Sequence, residues 1–589
     1  YQFDFQDAGQ TEFRIRQFLY ERTKANQTWV YSQDSGTGAW SLNRNGITET
    51  ERTTTDTLTD AFGTTYPVRV EWARETDEEG YPLRLTRRDY LDRQIPGRNG
   101  RTQTIPLLKR EVRFTEVDSA GEGVWETARI TEYQYWGEST DPEHPTFLPE
   151  NDPRLGRRRL MQEPEGFWTY TDYDIEGRLV RQILQDLDQP LAEPLDSMQN
   201  REITFSFSSL TDDGVEVERT EKLRGKVIRR SWEREWKGEL WREVHRIEAA
   251  NLASGPEDPQ NRVTQQFFDE KNDLLEEIRP DGTYLNRQIF DLPGYQQIET
   301  RVGEPNSDYT DVIAGTYTRQ HRNTFGETVF KQERVFNTLT STRVASMSAP
   351  AVDFSGRPTE IQYFDGTTTS RTYGCCGLLL TENDREGIET SYGYDEQKRL
   401  VSTTRAGITY RETWSYDGDN SDGRVGRVLT RTRLGREGTE QVIARETYDL
   451  VGRLVASEDA LGRITRYLRE YPAPGLVRDR TIYPDGSEQI ELRYASGETL
   501  SLTGDAVYPV EYEREVIVDT REGAPLHAIL SREIRPGEEP ATPEVVSQYQ
   551  DMLGRVYRVE RPAPDGSQAT EERFFNDRDQ LVRVVDPDG

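Results

Sequence analysis

The chain has only two cysteines and four histidines in 589 residues. The histidines, His144, His245, His321 and His527, stand far apart, and none belongs to a metal-binding spacing such as His-Glu-x-x-His. No Gly-x-Ser-x-Gly elbow and no phosphate-binding loop is present. Asp34-Ser35-Gly36-Thr37 is similar to the active-site phrase of aspartic proteases, but a carboxylate dyad needs two copies and there is one, so the stretch reads as a Ser-Gly turn. No catalytic residue, metal site or cofactor is assigned on this basis, and the chain is read as a non-enzyme.

Long apolar runs are missing too: no stretch of eighteen apolar residues offers a membrane span. Tyr1-Gln2-Phe3-Asp4 lacks the basic start and apolar run of a signal peptide, so the chain is expected to be a mature or trimmed piece. Positive charge is in deficit, 75 Lys and Arg against 106 Asp and Glu, a net −31. Nucleic acid is therefore excluded as a partner, since affinity there rests on an excess of cations over phosphates. The densest basic run, Arg157-Arg158-Arg159, reads as a solvated turn. Only 33% of residues are hydrophobic and 31% are charged, close to the range of chains that do not fold, but 10% are aromatic, which argues against disorder. A thin or hollow one-layer sheet, with much surface and little core, suits that composition.

Repetition dominates what is present. The phrase Tyr-Asp-x-x-Gly-Arg-Leu-Val is intact at Tyr173 to Val180 and at Tyr448 to Val455. Weaker copies stand at Phe268-Asp269 with Leu274, Tyr394-Asp395 with Leu400 and Phe575 with Leu581, each with an aliphatic residue six places after the aromatic. A glycine follows fourteen places after the aromatic in Phe268 to Gly282, Tyr373 to Gly387, Tyr448 to Gly462 and Phe575 to Gly589. From Tyr373 to Tyr394 the period is 21 residues, within the range that marks repeat arrays. Thr390, Tyr392 and Tyr394 alternate with their neighbours, as do Thr169, Thr171 and Tyr173, which is the period of a strand. Each unit is thus expected to be a β-hairpin with two strands of roughly seven residues.

Turn chemistry fits. Gly177, Gly377, Gly452 and Gly554 occupy one turn of the unit, and Gly282, Gly387, Gly462 and Gly566 the other, where only glycine takes positive φ without steric cost. Pro-Asp-Gly recurs at 280–282, 484–486, 564–566 and 587–589, with proline presetting φ. Asn272 and Asp579 replace glycine in the first turn and are the next most tolerant residues. A lone hairpin is marginal in water, so successive units are expected to pair edge to edge.

The Tyr-Asp-x-x-Gly-Arg-Leu phrase, followed by Asp-x-x-Gly and Thr-x-Tyr-x-Tyr, resembles the YD-repeat or Rhs-repeat family. The resemblance covers residues 161–589; residues 1–160 read as a divergent β-rich part with degenerate pieces such as Glu132 to Trp136. It implies hairpins wound into a spiral sheet that forms a hollow shell or tube, either enclosing toxic polypeptides or displayed on bacterial surfaces. It also implies an extracellular or cell-surface location. In such shells a self-cleaving core and a variable cargo follow the repeats; here they would lie beyond Gly589. Because Gly589 falls on a turn glycine, the array is expected to continue. Three functions stand at this point: a structural scaffold at the cell surface, a piece of a toxin-encapsulating shell, and a glycan-binding adhesin. Their partners would be further copies or a continuation of the array, an enclosed polypeptide, or surface glycans.

Three local features complete the reading. Tyr373-Gly374-Cys375-Cys376-Gly377 overlays Tyr173 to Gly177, so the cysteine pair falls at the centre of a turn. Adjacent Cα atoms near 3.8 Å lie below the usual disulfide range, which leaves a strained vicinal bridge between Cys375 and Cys376 and a pair of reduced thiols both open. Asp417 to Gly423 alternates oxygen ligands like a calcium loop, but its twelfth position is Val428 and its sixth Asp422, so it reads as an enlarged hairpin loop. Trp168, Trp232, Trp236 and Trp241 are sugar-platform candidates, with core packing the favoured role; the spacings of four and five among the last three do not read as strand alternation and leave a short helical or looped insert open.

Overall fold

The structure is a computed structural model. It describes residues 2–5, 12–17, 27–33, 40–44, 47–59, 65–76, 82–96, 102–117, 122–139, 144, 146–149, 152–191, 198–249, 255–374, 377–395, 398–417, 426–435, 438–473, 475–521, 527–536, 543–551, 553–563, 566–576 and 580–587.

Among these residues every regular element is a strand, from β1 (Gln2–Phe5) to β42 (Leu581–Val585), in one 42-stranded sheet. Each strand pairs antiparallel with the next in sequence, as in β10 (Arg158–Gln162), β11 (Trp168–Tyr173) and β12 (Leu179–Leu184). The chain is thus an all-β meander of hairpins, and residues 1–160 contribute strands to the same sheet.

Strand length follows the distance between turn formers. From Pro358 to Arg405, where turn glycines recur about every ten residues (Gly356, Gly366, Gly377, Gly387), the five strands have five or six residues each. Between Gly294 and Gly356 the glycines of one edge are some thirty residues apart, and the strands run to nine to twelve residues. A uniform seven-residue strand therefore does not describe the array. Cross-strand pairing continues until a residue tolerant of positive φ allows reversal.

The meander curls back on itself. The connection after β8 (Thr102–Arg113), leading to β9 (Arg129–Tyr135), accepts a backbone bond at Thr115 O from Leu450 N, at 2.9 Å; Leu450 lies between β31 (Glu440–Tyr448) and β32 (Leu454–Asp459). The β10–β11 turn accepts at Glu165 O from Gly475 N, between β33 (Ile464–Glu470) and β34 (Leu476–Ile482). The turn between β14 (Val215–Leu223) and β15 (Lys226–Lys237) meets β37 (Val510–Val518) and β38 (His527–Arg535): Lys226 Nζ donates to Val516 O at 2.5 Å, and His527 Nδ1 to Val227 O at 2.9 Å. The step is 23 strands each time (8 to 31, 10 to 33, 14 to 37).

An odd step has a topological consequence. In a meander, turns from even to odd strands share one edge of the ribbon and turns from odd to even strands share the other. An offset of 23 brings one edge of the first winding against the opposite edge of the second, so the ribbon is a spiral whose windings abut along a seam. Twenty-three strands at about 4.8 Å give a circumference of about 110 Å, hence a ring about 35 Å across. Exposed area agrees with a thin wall: the chain exposes 33774 Å², against about 21,000 Å² for a compact monomer of its mass.

Cores are correspondingly local. Leu160, Trp168, Tyr170 and Ile183 form one cluster, and Trp232, Ile247 and Ala249 another. Residues 232–241 are neither helical nor looped out. Trp232 and Trp236 lie on β15, and Trp241 begins β16 (Trp241–Glu248). A spacing of four is even, and even spacings share a face of a strand.

Candidate functional site

The repeat turn is built the same way at many positions. In the loop after β11, Asp174 N donates to Arg178 O and Gly177 N to Asp174 O, the bonds of a three-residue hairpin loop ending on a left-handed residue. The carboxylate of Asp174 accepts from the backbone N–H groups of Glu176 and Arg178, each at 2.9 Å, and from Arg178 Nε at 2.8 Å. Asp353 with Arg357, Asp449 with Arg453, Asp459 with Arg463 and Asp551 with Arg555 repeat the fork. Gly177, Gly282, Gly377, Gly387, Gly452, Gly462, Gly554 and Gly566 have φ between 76° and 83°, and Asn272 has 62°. Asp579 lies outside the described residues.

The repeat aromatics sit one step before these loops. Tyr173, Phe268, Tyr373, Tyr394, Tyr448 and Phe575 pair across the hairpin with Leu179, Leu274, Leu379, Leu400, Leu454 and Leu581, and a β-bulge precedes each pair. The six-residue offset is therefore a cross-strand contact. Tyr hydroxyls tie one hairpin to the previous one: Tyr373 Oη donates to Pro358 O and Tyr394 Oη to Leu379 O, both fifteen residues back. Arginines of preceding turns lie over the rings, Arg157 on Tyr173, Arg357 on Tyr373 and Arg555 on Phe575, at 5.3, 4.4 and 4.8 Å from the centroids. The preference for arginine over lysine points to both uses, covering rings and forking carboxylates, and here single residues such as Arg357 and Arg555 do both. The recurring Asp-x-x-x-Arg spacing carried the signal.

Between turns, arginine faces carboxylate directly across the ladder: Arg371 opposite Glu382, Arg319 opposite Glu299, Arg431 opposite Glu412, Arg445 opposite Glu458. Opposed charges in register contribute roughly 0.2–1 kcal/mol each, which gives a highly charged chain a stable sheet. At Asp459 the Arg463 fork, then the backbone N–H groups of Arg463 and Leu461, hold the carboxyl below its usual range. Burial, then Glu446, pushes the Tyr448 hydroxyl up to about 12.

The seam has its own ion network. Asp186, in the connection from β12 to β13 (Arg201–Ser209), is 2% exposed and accepts from Arg224 Nε and from an Arg514 Nη, each at 2.7 Å. Arg224 belongs to the first winding and Arg514, on β37, to the second. Arg514 also pairs with Glu498 at 2.5 Å. Gly475 is confined where the windings touch, since a Cβ there would stand 2.8 Å from Gln185 Nε2.

Other candidates scatter. Trp168 and Trp232 are buried, Trp168 with its Nε1 bonded to Gln189 O; Trp236 packs edge-on to His245, and Trp241 is half exposed. The four tryptophans form no common platform: Trp168 belongs to a different cluster from Trp232. Cys375 and Cys376, the Asp34 to Thr37 phrase and Gly418 to Gly423 of the enlarged loop lie outside the described residues. His144, His245, His321 and His527 occur in four separate hydrogen-bonding contexts.

No protein-family model and no curated protein matches the chain. Among solved structures it is similar to a Tc holotoxin pore of Photorhabdus luminescens, with 14% identity over 91% of this chain and 27% of that one, at a TM-score of 0.40. It is also similar to TcdB2–TccC3 lacking its hypervariable C-terminal region, with 14% identity over 92% of this chain and 27% of that one, at a TM-score of 0.42. The chain thus spans little more than a quarter of these neighbours.

Proposed function

We propose that this chain is a wall: a non-catalytic structural shell whose spiral ribbon separates an interior from the surroundings. The carrying observation is the seam, where hairpin turns 23 strands apart meet edge to edge and close the sheet laterally. A ring about 35 Å across, less about 5 Å of side chain on each side, leaves a lumen of about 25 Å, twice the width of an α-helix. Enclosure of a polypeptide is the reading this lumen favours over a solid scaffold. The polar ladders suit a wall wetted on both faces. We place the wall outside a bacterial cell or at its surface, on the resemblance of the Tyr-Asp-x-x-Gly-Arg turns to YD repeats.

Electron microscopy of the purified chain tests the reading. The expected image is a hollow, stain-filled ring or short tube, with small-angle scattering showing the minima of a shell. A filled particle, or an open sheet of variable curvature, would overturn it.

A further inference from the structure

The β12–β13 connection crosses the seam at Leu187, whose φ of 53° places a leucine in the left-handed region. Leu187 overhangs a cavity of about 800 Å³ whose other walls belong to the second winding: Tyr494 at the end of β35 (Glu488–Tyr494), Leu500 on β36 (Thr499–Thr503), Tyr512 and Arg514 on β37 and Ser531 on β38. Its size is that of small-molecule sites, and such sites combine apolar walls with a few convergent polar groups.

The charges on those walls are already used. Arg514 is held by Asp186 and Glu498, and Arg532 by Glu515 at 2.7 Å and Glu513 at 3.4 Å. Arg532, Glu513 and Glu515 stand on the opposite face of β37 and β38 from Tyr512, Arg514 and Ser531, so on the cavity face an anion meets the Glu498 carboxylate and an Arg514 already held on two sides, while a cation finds Glu498 already paired. The hydroxyls of Tyr494, Tyr512 and Ser531 remain, with no hydrogen-bond partner among the described residues. Aromatic and leucine surface with free hydroxyls matches a ligand that has an apolar face and a rim of donors and acceptors.

We propose that this cavity binds an uncharged saccharide across the seam, its ring against the Tyr494, Tyr512 and Leu187 surfaces and its hydroxyls on the free tyrosine and serine oxygens. Bridging the two windings, such a ligand stabilises the wound ribbon, since anything that binds only the closed form shifts the equilibrium toward it.

Saturation-transfer NMR of the whole chain, with a panel of neutral mono- and disaccharides at millimolar concentration and a sialylated trisaccharide as the charged comparator, decides the matter. The expected result is transfer to at least one neutral sugar, a higher melting temperature in its presence, and about tenfold weaker binding in Tyr494→Phe/Tyr512→Phe. That variant keeps ring shape, so its sugar-free melting is expected to match the parent and a folding defect is separable. No transfer from any neutral sugar, equal affinity in the double variant, or preference for the charged comparator would overturn the proposal, and none of these bears on whether the wall is hollow.

Discussion

Between Thr65 and Tyr135 four strands, β6 (Thr65–Thr76), β7 (Pro82–Pro96), β8 and β9, bury two apolar clusters: Tyr66 with Leu91 and Leu107, and Leu85 with Val112 and Phe114. Between Pro358 and Arg405 five strands of the same sheet bury Pro358, Ile361, Thr369 and Thr390, and no cluster of buried apolar residues forms there among the described residues. The first stretch also buries charge. Lys109 and Glu138 pair at 2.5 Å with side chains 2% and 0% exposed, and Asp89 lies buried between Arg87 and Arg110. In the second stretch the ion pairs are half exposed, Arg371 with Glu382 and Arg399 with Asp395, and the turns carry the order. One meander is thus stabilised by side-chain cores in one place and by turn bonds and charge ladders in another. A wall one layer thick accommodates both, because each hairpin needs only its neighbours.

The sharpest break between the two stretches is at Glu138, which also accepts from Tyr135 N at 2.8 Å. Glu138→Ala leaves a buried ammonium without its carboxylate and is expected to cost about 3–5 kcal/mol. Replacing both partners, Lys109→Met with Glu138→Leu, should recover part of that loss, because an apolar pair of similar volume carries no desolvation penalty while the Tyr135 N–H loses its acceptor. Denaturant midpoints of the two variants measure the difference. A loss below about 1 kcal/mol for Glu138→Ala would place this stretch with the turn-held part.

Turn glycines supply the next effect. Gly177 and Gly452 have φ of 77° and 81°, but a Cβ at Gly177 would lie 2.9 Å from Arg157 Nη and 3.2 Å from Pro153 O, while at Gly452 it would meet nothing within 4 Å. Gly452→Val is expected to cost the left-handed penalty alone, about 1–2 kcal/mol, and Gly177→Val about 2–3 kcal/mol. Equal melting shifts would mean that the Arg157 stack on Tyr173 yields freely.

Acid separates a third element from both stretches. Arg521, forked on Asp519 and opposed by burial, with Tyr557 Oη donating at 2.6 Å, holds Asp519 down at about 2 from 3.8. The folded value lies below the unfolded one, so the stabilisation is fully present above pH 4 and is lost as pH falls toward 2. Discounted for the partly exposed Arg521, it amounts to about 1–2 kcal/mol. Asp519→Asn should therefore lower the melting temperature near pH 6 and flatten its fall between pH 4 and 2. Parallel curves for parent and variant would remove Asp519 from the acid response.

Much of this was legible in the sequence because the repeat is local. The six-residue offset from aromatic to leucine is one cross-strand pair, and the glycine positions are loop ends, both settled within a single hairpin. The 23-strand winding was not legible, since it depends on curvature summed over some 300 residues and no residue marks where Thr115 meets Leu450. The Lys109 and Glu138 pair was hidden for a similar reason: its partners belong to different segments, joined only when the connection after β9 folds back. The even spacing of Trp232 and Trp236 was legible and was misread, because tryptophan on a sheet face follows strand parity whatever its neighbours suggest.

The smallest effect tests the repeat stretch at its most regular point. Tyr394 Oη donates to Leu379 O at 2.8 Å and Tyr373 Oη to Pro358 O at 3.3 Å, so each ring fastens its hairpin to the one before. Tyr394→Phe removes the donor, keeps the ring and leaves a half-buried carbonyl without this bond, at an expected cost of about 0.5–1.5 kcal/mol. Tyr373→Phe should cost less, since its bond is longer and Arg357 stacks on the ring with or without the hydroxyl. If these bonds are the cement between short hairpins, amide exchange in the variant accelerates across residues 379–394 and leaves Leu85 to Val112 unchanged, because opening propagates only to neighbours in a repeat array. Acceleration spread evenly over both stretches would instead mean that the sheet opens as one cooperative body, and the contrast between core-held and turn-held regions would then concern static contacts alone.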